Sequence, residues 1–266
     1  MKTQVLIVDN DFFFVNFLSE ILEARGYDVY KAYDGKEAIG IMQQGIDVDY
    51  LFVDMIMIKV DGKNFITYVN QAYPDREFYI IVISGTVIER LDVLKSLGAD
   101  FYLPKSSMET MEQSLLDFMD TMEQNRVAVD DVTDALVNMK SLYPRHETAK
   151  LIDALNFKSG IIDCLGTGVL VVDKDEHVIS ANPIALSILG KTFIDTINRP
   201  LSILFNISDE NIKRDKSIIY ALKTSAEFLT TIRLNKITSK GMTKISISPL
   251  LIEQKFSGWV TVIDTI

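Results

Sequence analysis

The sequence contains few of the residues on which metal and haem chemistry most often depend. It has one cysteine, Cys164, and two histidines, His146 and His177. A single cysteine excludes an internal disulfide and a thiolate metal cage, and two histidines leave little for a zinc or haem site. No run approaches the roughly 18 consecutive apolar residues of a membrane span. We therefore expect a cytoplasmic protein without a membrane partner.

Basic charge is also scarce, and it is unevenly distributed. Residues 1–121 contain 10 Lys and Arg against 20 Asp and Glu, whereas residues 122–266 contain 17 of each class. The asymmetry predicts a domain boundary near residue 120 and disfavours nucleic-acid binding, which requires a basic patch. Because 266 residues exceed the usual size of a single hydrophobic core, we expect two domains.

Short apolar runs alternate with amphipathic stretches over the first 121 residues. The apolar runs have the composition of buried strands and lie at 5–8, 29–32, 50–53, 79–84 and 100–103. Helical patterns separate them, near 12–25, 35–44, 63–73, 87–97 and from 107 onward. This order predicts a doubly wound, flavodoxin-like α/β domain with a five-stranded parallel sheet covered on both faces.

Polar and charged side chains follow several of the predicted strands. They are Asp9, Asn10 and Asp11 after the first strand, Asp54 after the third, Ser84 after the fourth and Lys105 after the fifth. Open α/β sheets bind their ligands beyond the carboxyl ends of the strands, so we expect these side chains to meet at one edge. Acids, a hydroxyl group and an amine would then share one site.

Four motifs at these strand ends resemble the response regulator receiver family over about residues 1–121. They are IVDND at 7–11, FVDMIMIKVDG at 52–62, VISGT at 82–86 and GADFYLPKS at 98–106. The resemblance implies that Asp54 accepts a phosphoryl group from a histidine kinase or phosphotransfer protein. It also implies that Lys105 contacts the phosphoryl oxygens, that Ser84 hydrogen-bonds one of them, and that Ser84 and Tyr102 form the switch pair.

The same resemblance implies a Mg²⁺ site made by Asp9, position 10, Asp54 and the backbone carbonyl of Ile56. Position 10 is Asn where the family usually has an acid, so the site loses one negative charge and we expect weaker Mg²⁺ binding. Two smaller departures are Ile58 in place of the usual Pro, and a Pro that precedes Lys105 instead of following it.

A second resemblance offers a less favoured alternative for the same residues. Asp9 and Asp11 match the DxD start of haloacid-dehalogenase-type phosphatases, in which the first Asp is the nucleophile and the second the general acid. The hydroxyl residue expected shortly afterwards is replaced by the run Phe12–Phe14, and the later acidic pair is missing. Asp54 would have no role in such an enzyme.

Residues 107–143 have a continuous helical pattern with a heptad seam. The seam holds apolar side chains and one amide, at Met108, Met111, Leu115, Phe118, Met122, Asn125, Val129, Val132, Leu136, Met139 and Tyr143. Such a seam is typical of a coiled coil, and its single Asn favours a fixed register. We therefore expect residues 122–158 to form a helical linker that ends or kinks at Pro144 and forms a parallel homodimer.

Residues 159–266 change to strand periodicity. The predicted strands lie at 168–173, 177–181, 225–235, 243–253 and 256–265, which indicates an α+β domain with a five-stranded antiparallel sheet. Within it, Asn182 and Pro183 mark the start of an inserted helix. The segments at 160–190 and 258–266 resemble a PAS domain, a module that encloses a small ligand or pairs with another copy.

The ligand of this second domain stays unknown at the sequence level. The inserted helices contain no Cys to form a flavin adduct and no His to bind haem, so both cofactors are disfavoured. Cys164 precedes the first strand, and we expect it to pack inside the domain.

Taken together, these features predict a phosphoacceptor signalling protein and not an enzyme. In this interpretation a two-component phosphorelay modifies Asp54, and the change passes through the helical linker to a PAS sensor or dimerisation domain. No output module is recognised in the sequence. The alternative is therefore the N-terminal sensory part of a larger hybrid histidine kinase or other effector enzyme, with its catalytic domain beyond residue 266.

Overall fold

The computed structural model describes residues 2–85, 98–124, 160–205 and 214–265. The chain divides into two compact units, residues 1–155 and 156–266, and each unit is described by itself. Three predictions fall outside the described residues. They are the helix at 87–97, the heptad seam from Asn125 onward, and all of the predicted linker 122–158 except its first three residues. In the described ranges no helix is long and apolar enough to cross a membrane.

The first unit has the predicted parallel sheet with helices between its strands. The strands pair in the order β2-β1-β3-β4-β5, all of them parallel. The elements are β1 (Gln4–Val8), α1 (Phe12–Ala24), β2 (Asp28–Ala32), α2 (Gly35–Met42), β3 (Tyr50–Asp54), α3 (Gly62–Ala72), β4 (Tyr79–Ser84), β5 (Phe101–Pro104) and α4 (Met108–Gln124). The doubly wound α/β prediction is therefore confirmed for this unit.

Acidic side chains cap three helices directly after the strands or loops that precede them. Asp11 accepts hydrogen bonds from the first turn of α1, Asp34 from that of α2 and Asp61 from that of α3. Each cap satisfies backbone N–H groups that have no partner within the helix. The caps therefore fix where each helix begins, at the same edge of the sheet as the carboxyl ends of the strands.

Helix α4 uses the first part of the heptad seam to cover the sheet of its own unit. Met111, Leu115, Phe118 and Met122 are buried in one apolar cluster with residues of β1, β3, β4 and β5. The Phe118 ring packs edge-on against Phe52, at a centroid distance of 6.1 Å. This part of the seam is consequently an intramolecular packing surface.

The second unit contains the predicted five-stranded antiparallel sheet. Its strands pair in the order β7-β6-β10-β9-β8. The elements are β6 (Gly168–Asp173), β7 (Val178–Ala181), α5 (Pro183–Leu189), α6 (Phe193–Thr196), α7 (Leu201–Leu204), α8 (Lys216–Phe228), β8 (Ile232–Thr238), β9 (Gly241–Ile252) and β10 (Lys255–Thr265). The predicted strand at 225–235 is wrong in its first half, because residues 225–228 belong to α8.

The reason for this error lies in the start and end signals of α8. Asp215 caps the helix, and Leu229 ends it in the left-handed region at φ 47°. Its buried face repeats at helical spacing, with Ile218, Ala221, Leu222 and Ser225. Strand β8 begins only after this left-handed residue, so residues 225–235 span two elements.

Two further expectations for this unit have different outcomes. Asn182 caps α5 and Pro183 occupies its first turn, as predicted. Cys164 is exposed, so the expectation that it packs inside the domain is wrong. Its thiol precedes β6, in a segment that is largely exposed.

Candidate functional site

Three charged side chains from distant parts of the chain meet at the carboxyl edge of the parallel sheet. The Nζ atom of Lys105, just after β5, lies 2.5 Å from Asp9 Oδ2 and 3.3 Å from Asp54 Oδ1. Asp9 and Asp54 are 2% and 6% exposed, so both carboxylates are buried beside one ammonium group. Ser84, at the end of the neighbouring strand β4, is also buried.

Backbone hydrogen bonds hold these residues in place. The N–H of Asp9 donates to the carbonyl of Ala32 at 3.1 Å, and the N–H of Lys105 donates to the carbonyl of Ser84 at 2.8 Å. The N–H of Asp11 donates to Asp9 Oδ1 at 2.9 Å and fixes the direction of that carboxylate. The charged groups are thus attached to strand ends and not to free loops.

The loop after Asp54 is closely packed at both of its ends. A Cβ atom on Gly62 would lie 2.2 Å from the carbonyl oxygen of Asp54, and one on Gly35 would lie 2.5 Å from that of Val60. Lys59 adopts a left-handed φ of 61°, and its ammonium pairs with the buried carboxylate of Asp34 at 2.7 Å. No motif used in the sequence analysis predicts this ion pair, because it depends on how the loop folds back onto α2.

Burial changes the acidity of the central carboxyl group. Loss of solvent raises the pKa of Asp54 to about 6, and the nearby charge of Asp9 acts in the same direction. The Lys105 ammonium and the backbone N–H of Ile56 oppose this rise and lower the pKa of Asp54. At neutral pH Asp54 is therefore mostly ionised, and its carboxylate is poorly solvated.

The comparisons with known proteins assign both units. Residues 5–116 match the model of the response regulator receiver domain, and residues 156–222 match the PAS domain model. The chain carries a receiver domain followed by a PAS domain. The prediction of a receiver domain followed by a PAS domain is therefore confirmed.

Similar proteins cover mainly the receiver domain. The transcriptional regulatory protein CpxR of Escherichia coli K12 is 32% identical over 102 residues, which are 38% of this chain and 42% of that protein. The response regulator MprA of Mycobacterium bovis is 31% identical over 105 residues, 40% of this chain and 45% of that protein. These matches span less than half the length of either relative. Among solved structures, the chemotaxis response regulator CheY4 of Vibrio cholerae is 25% identical, with a TM-score of 0.40, covering 45% of this chain and 98% of that one.

The receiver site has donors that fit a small divalent cation. Asp9 Oδ2 is buried, and in the described part of the chain it has no hydrogen-bond partner besides its ionic contact with Lys105. Two carboxylates and nearby carbonyl oxygens are the hard ligands that Mg²⁺ prefers. Among the described residues, no group of three or more acidic, His or Cys side chains is arranged to hold a metal ion, and Asn10 is exposed. The donor set therefore fits Mg²⁺ with two carboxylates, and water molecules must complete its coordination.

The proposed switch residues of the receiver domain are also neighbours. The hydroxyl of Tyr102, on β5, donates to the backbone carbonyl of Ser84 at 3.2 Å. Tyr102 is half-buried, whereas Ser84 is buried next to the acid pocket. One hydrogen bond thus links the backbone of Ser84 to the side chain of a half-buried tyrosine. The sequence placed these residues on adjacent strand ends, but their direct contact depends on the pairing of β4 with β5.

Proposed function

We propose that Asp54 is the phosphoacceptor of a two-component phosphorelay and that the donor is a histidine kinase or a phosphotransfer protein. The single observation that carries this proposal is the pocket shared by Asp9, Asp54 and Lys105. Two buried acids beside one ammonium group suit a reaction in which a carboxylate must attack a phosphoryl group of like charge.

In the proposed reaction an Asp54 carboxylate oxygen attacks the phosphorus atom of the donor. A new O–P bond forms while the bond from phosphorus to the donor nitrogen breaks, and that nitrogen keeps the electron pair. Lys105 is close enough to Asp54 for its ammonium to neutralise a phosphoryl oxygen. It would exchange its contact with Asp9 for this new one.

The metal ligands proposed are Asp9, Asp54, Asn10 and the backbone carbonyl of Ile56. A bound Mg²⁺ supplies positive charge that offsets the repulsion between the carboxylate and the phosphoryl oxygens. Asp9 would bind the Mg²⁺ ion next to Asp54, whereas Asn10 would contribute at most a neutral oxygen ligand. We therefore expect phosphorylation that needs a higher Mg²⁺ concentration than a site with a third carboxylate.

The proposed readout uses Ser84 and Tyr102. The Ser84 hydroxyl would donate a hydrogen bond to a phosphoryl oxygen on Asp54. Because Ser84 ends β4, this new bond would displace the end of the strand and move the Ser84 carbonyl that Tyr102 now contacts. The proposal then carries the signal through the linker to the PAS domain, with a homodimer formed by the linker, the PAS domain or both. A catalytic effector domain beyond residue 266 is the alternative form of the same output.

The phosphatase alternative is poorly supported by the position of Asp11. Its carboxylate Oδ1 accepts from the N–H groups of Phe13 and Phe14, at 3.0 and 3.2 Å. This carboxylate oxygen is therefore occupied as the cap of helix α1, so it is not available to act as the proton donor of a general acid. A phosphatase of the DxD type requires that proton donor.

Labelling with a small phosphodonor tests the proposal directly. The intact chain is incubated with radioactive acetyl phosphate and Mg²⁺, next to Asp54→Ala and Asp47→Ala. We expect label in the parent and in the control, since Asp47 is exposed and lies before β3. Asp54→Ala should take no label. Undiminished label in Asp54→Ala would contradict the proposal. If Asp9→Asn at the same time took no label, Asp9 would be favoured as the nucleophile.

The oligomeric part of the proposal has its own measurement. Light scattering on the intact chain at micromolar concentration should give twice the mass of 30.0 kDa. A monomeric mass with and without phosphodonor would contradict the proposed homodimer and leave the phosphoacceptor role of Asp54 intact.

A further inference from the structure

The Lys105 side chain has a third neighbour besides the two carboxylates. Its Nζ atom lies over the ring of Phe14, 4.6 Å from the ring centroid. This distance is within the range of a cation–π interaction, in which the negative face of an aromatic ring attracts an ammonium group. One ammonium group thus faces two acids and one ring.

The same short turn fixes both Phe14 and Asp9. The N–H of Asp11 donates to Asp9 Oδ1 at 2.9 Å, and Asp11 Oδ1 accepts from the N–H of Phe14 at 3.2 Å. The carboxylate of Asp9 and the backbone of Phe14 are therefore linked through Asp11 by two hydrogen bonds. The backbone of Lys105 is held separately, through its N–H donated to Ser84.

A lysine at this place needs a constraint that the carboxylates do not supply by themselves. Its side chain has many rotamers and loses more conformational entropy than most when it is fixed. The Lys105 side chain keeps 22% of its exposure, so solvent still reaches it. The Phe14 ring offers the ammonium group an attractive surface without a hydrogen-bond acceptor that would compete with the acids.

We propose that Phe14 is a positioning residue for Lys105, and that its ring holds the ammonium group where Asp54 receives the phosphoryl group. The inference rests on the proposed function of Asp54. The attraction persists when Lys105 turns from Asp9 to a phosphoryl oxygen, because the ring face does not depend on which oxygen the N–H groups contact. Phe14 thereby keeps the Lys105 ammonium group at the site both before and after Asp54 receives the phosphoryl group.

The alternative explanation is that Phe14 only fills space, and α1 contains a matched residue that separates the two. Phe14 and Phe17 are both partly buried and both pack against the apolar core of the first unit. Leu retains most of the apolar surface at either position but removes the ring face. Tyr at position 14 retains the ring face.

The first measurement is the initial rate of labelling by acetyl phosphate with Mg²⁺ in the intact chain. We expect Phe14→Leu to lower this rate about tenfold, whereas Phe14→Tyr and Phe17→Leu stay within about twofold of the parent. In a Lys105→Met background, Phe14→Leu should have no further effect. Equal losses in Phe14→Leu and Phe17→Leu, or failure of Tyr to restore the rate, would overturn the positioning role.

The second measurement observes the contact without any phosphorylation. The ε-methylene protons of Lys105, assigned by their loss in Lys105→Met, should be shifted upfield by the ring current in the parent and in Phe14→Tyr. The shift should vanish in Phe14→Leu. An unshifted parent resonance overturns the inference, even if Asp54 is labelled. A shifted resonance in a chain that takes no label contradicts the function proposed for Asp54, and the contact itself stands.

Discussion

The receiver and PAS units bury polar side chains for different purposes. In the receiver unit the buried polar residues include three carboxylates, Asp9, Asp34 and Asp54, and two of these face Lys105. In the described part of the PAS unit the buried polar residues are hydroxyls, one amide and a single carboxylate, Asp173. Asp173 accepts hydrogen bonds from the N–H groups of Asp175 and His177, so it stabilises its own turn.

This difference separates a site that performs chemistry from a framework that supports packing. Buried charges are costly unless they are paired, and clusters of them usually indicate function. Buried hydroxyls and amides with backbone partners contribute to the stability and shape of the fold. We therefore expect substitution of the buried charges to affect labelling of the receiver unit, and substitution of the buried neutral groups to affect the stability of the PAS unit.

The largest expected effect compares two lysines of similar exposure, one in each unit. Lys105 is 22% exposed and pairs with Asp9 and Asp54, while Lys236 is 24% exposed and pairs with Asp215. We expect Lys105→Met to lower the rate of labelling by acetyl phosphate about 100-fold, because one preorganised charge at the transition state is lost.

Lys236→Met removes an equally shielded ion pair and should leave the labelling rate within about twofold of the parent. A similar loss in both variants would show that the ion pairs act through general stability, and the contrast between the units would disappear.

The next effect concerns Asn182, whose side chain makes four hydrogen bonds in the PAS unit. Its Oδ1 accepts from the N–H groups of Val169 and Ala185, both at 2.9 Å. Its Nδ2 donates to the carbonyls of Ile162 and Thr167, at 3.0 and 2.9 Å. Asn182→Ala should lower the free energy of unfolding of this unit by about 3 kcal/mol, because buried partners are left unsatisfied.

Hydrogen exchange of the amides of β6 and β10 measures this loss, and the amides of β1 and β3 report on the receiver unit in the same experiment. Asn235→Ala, which removes an exposed amide on β8, is the control and should change neither. Equal losses of protection from exchange in both units would contradict the prediction that Asn182→Ala destabilises the PAS unit alone.

Much of the fold follows from the sequence because the strands are strongly periodic. Most receiver strands are apolar runs, and four of them have a site residue at or just after their last position. Asp54 and Ser84 end β3 and β4, whereas Asp9 and Lys105 directly follow β1 and β5. The cap at Asn182 was also predictable, since Asn before Pro marks a helix start. The strand predicted at 225–235 is wrong in its first half because the left-handed Leu229 divides this segment into the end of a helix and the start of a strand.

The side-chain neighbours of the site follow less well from the sequence. Lys105, Asp9 and Asp54 could be placed at one edge from their positions at strand ends. The contact of Phe14 with Lys105 and that of Lys59 with Asp34 could not, since they depend on the direction of a helix turn and on a left-handed loop residue. Tertiary geometry and not local pattern decides such contacts.

A third prediction uses the raised pKa of Asp54 to compare activity with stability. The rise from 3.8 to about 6 means that the folded receiver unit binds more protons than the unfolded chain between these pH values. Its free energy of unfolding therefore falls as the pH rises through this window, and the full penalty is present above pH 6. Asp54→Asn lacks the penalty and should be more stable at pH 7.5 by about 1–3 kcal/mol.

The difference between Asp54→Asn and the parent should diminish as the pH falls from 6 towards 4. Exchange of the β1 and β3 amides follows it, with β10 as the internal reference and Asp47→Asn as the exposed control. A constant difference across this range would assign the effect to packing and not to ionisation.

The smallest expected effect is at Thr261 in the PAS unit. Like Asp9 Oδ2 in the receiver unit, its side-chain oxygen is buried without a hydrogen-bond partner among the described residues. Its hydroxyl is buried in the middle of β10 and has no hydrogen-bond partner in the described residues. An unsatisfied hydroxyl destabilises the folded state, and Val has nearly the same shape without it. Thr261→Val should therefore raise the free energy of unfolding of the PAS unit by about 1 kcal/mol, seen as slower exchange of the β10 amides.

The direction of the change in exchange rate decides between two roles of the hydroxyl. Slower exchange in Thr261→Val would mean that the hydroxyl destabilises the folded PAS unit. Faster exchange would mean that the hydroxyl has a stabilising hydrogen-bond partner in solution, and Thr261 would then resemble the other buried hydroxyls of the PAS unit.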